Sequence, residues 1–552
     1  YDKWDRYEKD QSGRRYQFDE PDDRGPGGAR GIGHRCVAGG TTAARCQSDR
    51  RHTVTSGPHH DRRQVEVTSA SLRPRAQALL DDSFRLALVA AHEDEDRFRI
   101  VYVFVATRPD RRVELVLPAG AEAPSVLSLA GLSFPAGRFE REMRDLYGIT
   151  PIGHPLPRRL VRHHHWPQGW YPMRSDAGPP PPFGSTQEPF PFLTVEGPGV
   201  FEIPVGPIHA GLIEPGHFRL SVVGETVLKL KARLWFVHRG IEKLAEGRSL
   251  ADVVPLMERV SGDTAVGHTL AYCLAVEEAL DWPVPARANV VRAAVLELER
   301  LYNHVTDLGA LCNDAGQGLL NTHALRVRER LLRLNADVTG HRLLRGAVFP
   351  GGAGIRDWPE AHELREIAAD VAEIVDLALT HSAVLDRFNG TGVLTAEQVS
   401  DIGVVGVAAR ASGVALDARC DHPFTEATAG LTAVTETGGD VLARFVVRAN
   451  EVQASVGLVL RLIDDVGSGQ ITSDQPTWPS QGASGLGLVE GWRGTIAHRV
   501  EIGEDQRLRR LKIVDPSFLN WPALPVAMMN TIVPDFPLTN KSFNLSYAGN
   551  DL

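Results

Sequence analysis

From its first residue to about residue 70 the chain has few aliphatic positions and no period; Arg, Asp, Gly and Ser follow one another without an apolar face. Such a segment buries too little apolar surface to offset the entropy of ordering it, so a disordered extension is predicted over residues 1–70. Apolar runs begin near Phe84. Three of them, Phe84 to Ala91, Phe98 to Thr107 and Val113 to Leu117, are separated by the polar turns HEDED and RPDRR, which predicts a β-meander. The middle run, FRIVYVFVAT, is almost continuously apolar and β-branched, as expected of a strand covered on both faces. Helices should cover it, and APSVLSLAGLSF and GRFEREMRDLYGI are the candidates, the second with Phe139, Met143 and Leu146 at helical spacing.

Beyond residue 160 the pattern breaks into HHHWPQGWYP and the run Pro179 to Pro182, a semi-extended linker over 161–194. A hairpin comes next. Gly224-Glu225 separates two strand-like runs, and Leu228, Leu230, Ala232 and Leu234 alternate with Lys229, Lys231 and Arg233, which predicts one wet face. The period then becomes helical, with HRGIEKLAEG, HTLAYCLAVEEAL, a long segment from Ala286 to about Asp314, and further helices near 322–345, 359–386 and 438–466, closed by β-rich turns after Gly482. The expected class is α+β: a small N-terminal α/β domain over 71–160, an antiparallel meander with helices, and a large, mainly helical bundle over 195–552 carrying a β-hairpin and β-rich turns.

Composition acts mainly by exclusion. Lys plus Arg number 60 against 69 Asp plus Glu, and a net charge of -9 argues against nucleic-acid binding. A length of 552 residues gives a prior of roughly three or four domains, or fewer if one is large. Five scattered cysteines without a C-x-x-C pair disfavour a disulfide scaffold, a zinc ribbon or a self-contained iron–sulfur site. No window approaches the ~18–20 apolar residues of a membrane span, and the start, YDKWDRYEKDQSGRR, has neither Met nor an apolar signal core. The chain reads as cytosolic, and as a fragment or an extended reading. His34, Cys36 and Cys46 read as part of a solvated tail, and His163, His164 and His165, being adjacent, point in different directions and are not expected to hold a metal. The Gly-rich segments at 351–357 and 403–410 neither follow a strand nor open a helix as a dinucleotide fold requires.

Three constellations carry candidate chemistry. On the long helix Glu297, Arg300, His304 and Asp307 share one stripe, either a solvated face or an interior polar chain. Arg239 and Glu242 stand three apart at a predicted helix start after a strand, where a guanidinium can face a redox centre or carboxylate and a partly buried Glu can relay protons; an ordinary ion pair is the alternative. Arg259, Ser261, Gly262, Thr264 and His268 form R-x-S-G-x-T-x-x-x-H. With cysteines at 261 and 264 this would be a thiolate metal motif, but hydroxyls are poor ligands for soft metals, and Ser261 is expected to cap the following helix.

Together these segments are familiar. FEREMRDLYGITPIGHPLPRRL, with Glu140, Arg141, Glu142, Asp145, Gly148, His154, Pro155 and Arg159, closely resembles the signature of the C-type (30 kDa-like) subunit of NADH-quinone oxidoreductase, respiratory complex I. GPIHAGLIEPGHFRL, FVHRGIEKLAEG, AYCLAVEEAL, ELERLYNHVTDLGAL, GVAARASGVALDAR and RLKIVDPSF resemble the D-type (49 kDa-like) subunit, in the expected order. A C-type region fused ahead of a D-type region is the arrangement of the large subunit of formate hydrogenlyase and related membrane-bound nickel–iron hydrogenases, and EPGHFRL and LERLYNHVTDLGALCND are similar to that branch.

The resemblance implies a proton-transferring Glu at Glu242 and two nickel thiolates at the positions of Ser261 and Thr264, with a second pair, DPCxxC, near the C-terminus, where Thr539 and Ser542 stand at the matching spacing. All four thiolates are absent, so nickel is not expected and this chain is expected to hold no redox metal of its own. In complex I the corresponding cavity receives a quinone headgroup near an iron–sulfur cluster of a partner subunit. The Tyr used there falls near Gly262, His209 is the nearest match to the second quinone-contacting residue, Arg239 matches the cluster-facing Arg, and the helix His is replaced by Leu311. The resemblance further implies a peripheral subunit, on the cytoplasmic face of a membrane-associated oxidoreductase, whose partners are an iron–sulfur subunit and integral-membrane antiporter-like subunits. A quinone or other small acceptor would be reduced in a cavity around His209, Arg239, Glu242, Arg259 and His268, with Glu242, His268 and the stripe of Glu297, Arg300 and His304 passing protons. The rival readings are an active nickel–iron hydrogenase large subunit and a non-catalytic scaffold; NAD would be bound on other subunits of such an assembly.

Overall fold

The computed structural model describes residues 61–552 apart from 96, 108, 186–189 and 191, so most of the expected extension lies outside the described residues. Its last part does not fit that expectation: β1 (Asp61–Glu66) is a strand, paired parallel to β4 (Arg111–Gly120). Its sequence, DRRQVE, has almost no apolar signal because charge holds it, with Arg62 donating to Glu114 of β4 at 2.9 Å.

β2 (Arg85–Glu93), β3 (Arg97–Ala106) and β4 form the expected meander, and the sheet order is β1-β4-β3-β2. β3 is buried almost throughout. α1 (Ser69–Asp81) starts at a capping box between Thr68 and Ser71, and α2 (Phe134–Tyr147) packs against β2. α2 ends at Gly148, where φ is 77° and a Cβ would meet the Tyr171 ring at 2.7 Å, so only glycine fits. APSVLSLAGLSF is not a helix. It holds the short strand β5 (Ser125–Leu127), paired with β6 (Thr150–Ile152), and only Val126 of β5 points inward, a period of two rather than 3.6.

β7 (Val200–Val205), β8 (His217–Val223) and β9 (Thr226–Arg233) make a second sheet whose β8–β9 turn is Gly224-Glu225, as expected. Its charged face is not wet. The Lys231 ammonium is buried against Glu202 and the Leu193 carbonyl, and Arg233 donates to the Leu160 carbonyl at 2.6 Å, because the 161–194 arm lies across this face.

Helices α3 (Ile241–Ala245), α4 (Leu250–Met257), α5 (Ala265–Ala279), α6 (Ala286–Asp314), α7 (Gly318–Thr339), α8 (Ala361–Thr380) and, after several short helices, α9 (Val441–Asp464) build the bundle. A tiny hairpin of β10 (Val348–Phe349) and β11 (Gly352–Ala353) lies between α7 and α8. α5 lies on the three-stranded sheet β12 (Ala483–Gly491), β13 (Gly494–Ile502) and β14 (Leu508–Val514), where Gly485 and Gly487 leave room for the Ala275 and Ala271 carbonyls. After β14 come short helices that no apolar period announced, among them α10 (Pro516–Asn520), α11 (Asp535–Phe543) and α12 (Tyr547–Asp551). Ion pairs tie the N-terminal domain to the rest of the chain: Arg499 of β13 joins Glu114 of β4 at 3.1 Å, Arg112 of β4 joins Glu278 of α5 at 3.2 Å, and Lys512 of β14 joins Glu142 of α2 at 2.7 Å.

Candidate functional site

The turn before α5, the β12–β13 turn and the segment before α12 converge on one hydrogen-bonded polar cluster. Ser261 does not cap α5; the N-cap is Thr264, without a side-chain cap bond. The Ser261 hydroxyl instead donates to Asp263 at 2.8 Å and lies 2.9 Å from the Ser546 hydroxyl. Asp263 also receives Thr264 Oγ1 at 3.0 Å and both terminal nitrogens of Arg493, at 2.7 and 2.6 Å. Burial pushes the Asp263 carboxyl up, but Arg493 and the two hydroxyls outweigh it and hold it below the usual carboxylate range. The guanidinium of Arg493 stacks over the Trp492 ring at 3.9 Å and donates from Nε to the Asn544 carbonyl at 2.6 Å. Ser261, Thr264 and Ser546 are buried, whereas Gly262 is exposed and a Cβ there would meet nothing within 4 Å. Gly262 therefore faces open space at the edge of this cluster.

Thr539 and Ser542 do not belong to this cluster. Ser542 accepts from Arg444 Nε at 2.8 Å and donates to the Thr539 carbonyl at 2.6 Å, and Thr539 lies against Gly392. Spacing alone selected them. The residue that reaches Ser261 is Ser546, whose hydroxyl also accepts the Gly549 amide three positions on, and a glycine leaves no side-chain signal to find. A nickel ion does not fit here: the donors are hydroxyls and one carboxylate, the carboxylate is neutralised by a guanidinium, and a Cβ at Gly549 would come within 2.5 Å of the Asp515 carboxylate.

His268 is fully buried, with Nε2 2.9 Å from Asp515 Oδ2 and Nδ1 3.0 Å from His498 Nε2. Burial raises the Asp515 carboxyl, but the His268 hydrogen bond and Arg493 hold it below its ordinary value. Arg239 and Glu242 do not pair with each other. Arg239 donates to the carbonyls of Arg259, Val260 and Ala548 at 2.7, 2.8 and 2.9 Å, which sets it at the edge of the cluster. Glu242 is buried among Lys512 (3.1 Å), Arg510 (2.9 Å) and the Ile513 amide (2.9 Å); burial raises it, but these cations bring it down to about 2. Arg259 is exposed and donates back to the Pro255 carbonyl at 2.6 Å, away from the cluster. His209 lies in the loop between β7 and β8 and bonds the Gly216 carbonyl at 2.7 Å. That loop touches α12 through other residues: Gly216 packs on Tyr547, and Glu214 accepts the Ala548 amide at 3.0 Å.

The α6 stripe is an interior polar chain, not a solvated face. Glu297, Arg300, His304 and Asp307 are all buried. Glu297 meets Arg419 at 3.0 Å, Arg300 at 3.2 Å and Ser455 at 2.6 Å, and His304 Nε2 donates to Glu451 at 2.7 Å. Burial keeps His304 below its ordinary value despite that partner. Asp307 accepts from Arg448 at 2.9 Å and from Asn544 at 2.7 Å, and so joins the stripe to the chain segment that holds Arg493.

Comparison with known proteins places these elements. Residues 65–181 match the family of the respiratory-chain NADH dehydrogenase 30 Kd subunit, residues 239–312 that of nickel-dependent hydrogenases, and residues 314–486 that of the respiratory-chain NADH dehydrogenase 49 Kd subunit. The formate hydrogenlyase subunit 5 of Escherichia coli (strain K12) is 36% identical over 428 residues, 75% of this chain and 74% of that protein. The chain belongs to the family of fused 30 kDa/49 kDa-type subunits of complex I-like oxidoreductases and membrane-bound hydrogenases. In this family the fused C/D protein of NADH-quinone oxidoreductase from Phocaeicola vulgatus is 28% identical over 420 residues, 71% of this chain and 80% of that protein. A chain in the solved structure of the membrane-bound sulfane sulfur reductase, an archaeal respiratory membrane complex, superposes with a TM-score of 0.59 at 26% identity, covering 64% of this chain and 99% of that one. Among the described residues no helix is long and apolar enough to cross a membrane. The hydrogenase-like match spans the turn where Ser261 and Thr264 stand.

The sequence pattern did not mark Asp263, Arg493, Ser546, Asp515, His498 or Glu451. Each is a single charged or polar residue whose partner lies far along the chain. Asp515 and Asp263 had a local signal, since they stand in the segments RLKIVDPSF and R-x-S-G-x-T-x-x-x-H.

Proposed function

We propose that this chain is the acceptor-site subunit of a membrane-associated oxidoreductase complex, and that a quinone or another small acceptor is reduced in the pocket bounded by Ser261, Asp263, Thr264, Arg493 and Ser546. Electrons would come from an iron–sulfur cluster of a partner subunit facing Arg239 at the rim, and integral-membrane subunits would anchor the assembly. The observation that carries this reading is the convergence of three chain segments on a buried cluster of hydroxyls and an Asp263–Arg493 ion pair beside the exposed Gly262. This cluster holds hydroxyls, a carboxylate and a guanidinium and no soft ligand for nickel, which opposes the hydrogenase reading.

The cations around Glu242 favour an anchoring role for that carboxylate over proton transfer, because a group held near 2 gives up its charge only in strong acid. Gly262→Trp tests the pocket. A large ring at this exposed glycine costs the fold little and covers this edge of the cluster, so acceptor reduction by the assembled complex should fall at least tenfold while partner clusters are still reduced by the electron donor. Full turnover in the assembled variant would mean that the acceptor binds elsewhere and would favour the scaffold reading.

A further inference from the structure

Helix α5 starts without a cap of its own, since Thr264 at its N-cap makes no side-chain bond to the first-turn amides. The first amides of a helix have no partner inside it, and a buried donor left unpaired is costly. A neighbouring helix supplies the partner. Glu299 of α6, buried to 1% exposure, accepts the Val266 amide on Oε2 at 2.6 Å and the Gly267 amide on Oε1 at 3.0 Å. Gly267 leaves room for this approach, because a Cβ there would meet Glu299 Oε1 at 3.3 Å and Ile496 of β13 at 2.8 Å.

One turn further along α6, the Tyr302 hydroxyl and Asn303 Nδ2 donate to the Asp263 carbonyl at 3.1 and 2.8 Å. Three side chains of α6 therefore hold the chain from Asp263 to Gly267. The Asp263 and Thr264 side chains leave from this stretch, and Asp263 accepts the Ser261 hydroxyl, so its placement decides where the groups of the cluster stand. Among the described residues no cation pairs with Glu299: Arg300, beside it, donates to Glu297 and to the Glu490 and Gly491 carbonyls. The carboxyl is spent on the α5 amides alone.

We propose that Glu299 is a positioning residue of the acceptor site: it clamps the first turn of α5 and so fixes Asp263 and the hydroxyls of Ser261 and Thr264 against Arg493. The inference rests on the acceptor-site reading and adds a control on it. Burial pushes the Glu299 carboxyl up to about 8, although the two amides favour its charged form. The titratable and charged groups that face it are Asp263, from the turn before α5, and Arg300 and Tyr302 on α6. A carboxyl that opening of the turn releases into water returns toward its ordinary 4.5. The closed turn thus holds a proton that the open turn has lost, and closure is strongest in acid and weakens as pH rises from about 4.5 to about 8.

The first test is hydrogen exchange of Val266 and Gly267 in the full chain, expressed as protection corrected for the intrinsic effect of pH on exchange. Wild-type protection should fall at least tenfold between pH 5 and pH 8. Glu299→Gln keeps one acceptor for the amides but has no titrating proton, so its protection should be lower at pH 5 and constant over the range. The second test is acceptor reduction by the complex from native membranes: turnover should fall through this range in wild type, and Glu299→Gln should lose that limb while partner clusters are still reduced by the donor. Wild-type protection that does not change between pH 5 and pH 8 would overturn the clamp, whether or not the variant folds. A clamp seen by exchange, with the wild-type pH profile of turnover kept in Glu299→Gln, would overturn the positioning role. Gly262→Trp is run alongside: if it leaves turnover intact, the acceptor-site reading fails independently of Glu299.

Discussion

The hydroxyls of Ser261 and Ser546 lie 2.9 Å apart although 285 positions separate them along the chain. The contact joins the turn before α5 to the start of α12, and one of its partners, Ser261, stands where the family resemblance implies a nickel thiolate. Here the link comes from hydroxyls, assisted by Arg493, which reaches Asp263 and the Asn544 carbonyl together.

Ser546→Ala removes that bond and also the cap that the hydroxyl provides to the Gly549 amide at 2.9 Å. A loss of about 1–2 kcal/mol is expected, the sum of one modest buried hydrogen bond and one helix cap. Denaturant unfolding of the full chain should show a lower midpoint at an unchanged slope; an unchanged midpoint would mean that the contact contributes nothing.

Glu242 is the single carboxylate that both Arg510 and Lys512 contact, and Lys512 also reaches Glu142 of α2. Glu242→Gln leaves two buried cations sharing one remaining carboxylate, a loss of roughly 3 kcal/mol. The loosening should be local to the contact between α2 and β14, read as faster amide exchange across Lys512 and Ile513. Unchanged exchange there would contradict the anchoring role.

Glu140, inside the N-terminal domain, titrates near neutrality: burial pushes its carboxyl up to about 7, although the Ser128 hydroxyl (2.5 Å) and the Leu129 amide (2.7 Å) favour the charged form. The folded state therefore holds a proton that the unfolded chain has already released, and stability from this group is present in acid and falls as pH rises from about 4.5 to about 7. The whole effect is about 3 kcal/mol. Thermal unfolding at pH 5 and pH 8 should differ more for wild type than for Glu140→Gln; equal differences would show that Glu140 stays ionised throughout.

Much of the bundle was legible in the sequence because its helices are long. α6 runs from Ala286 to Asp314, the limits that the period marked, and the β8–β9 turn falls at Gly224-Glu225. The C-terminal helices went unread because those from 516 onward span five to nine residues, too short for an apolar period to repeat. β1 escaped because its stabilising partner, Glu114, is remote in sequence. The site was legible in half. Ser261 and Thr264 meet at Asp263 and Arg239 bonds the neighbouring Val260 and Ala548 carbonyls, whereas Arg259 and Ser542 turn away, because spacing carries no information about which way a loop folds back. Whether the α6 stripe was wet or buried depended on α9, which supplies Arg448, Glu451 and Ser455 to cover it.

Hydroxyls and an internal ion pair stand where the family resemblance implies nickel thiolates at Ser261 and Thr264. Nickel and iron per copy of this chain, measured by elemental analysis of the complex isolated from native membranes, test it most directly. The account predicts iron from partner clusters and no stoichiometric nickel. Nickel equimolar with this chain would contradict it and restore the hydrogenase reading.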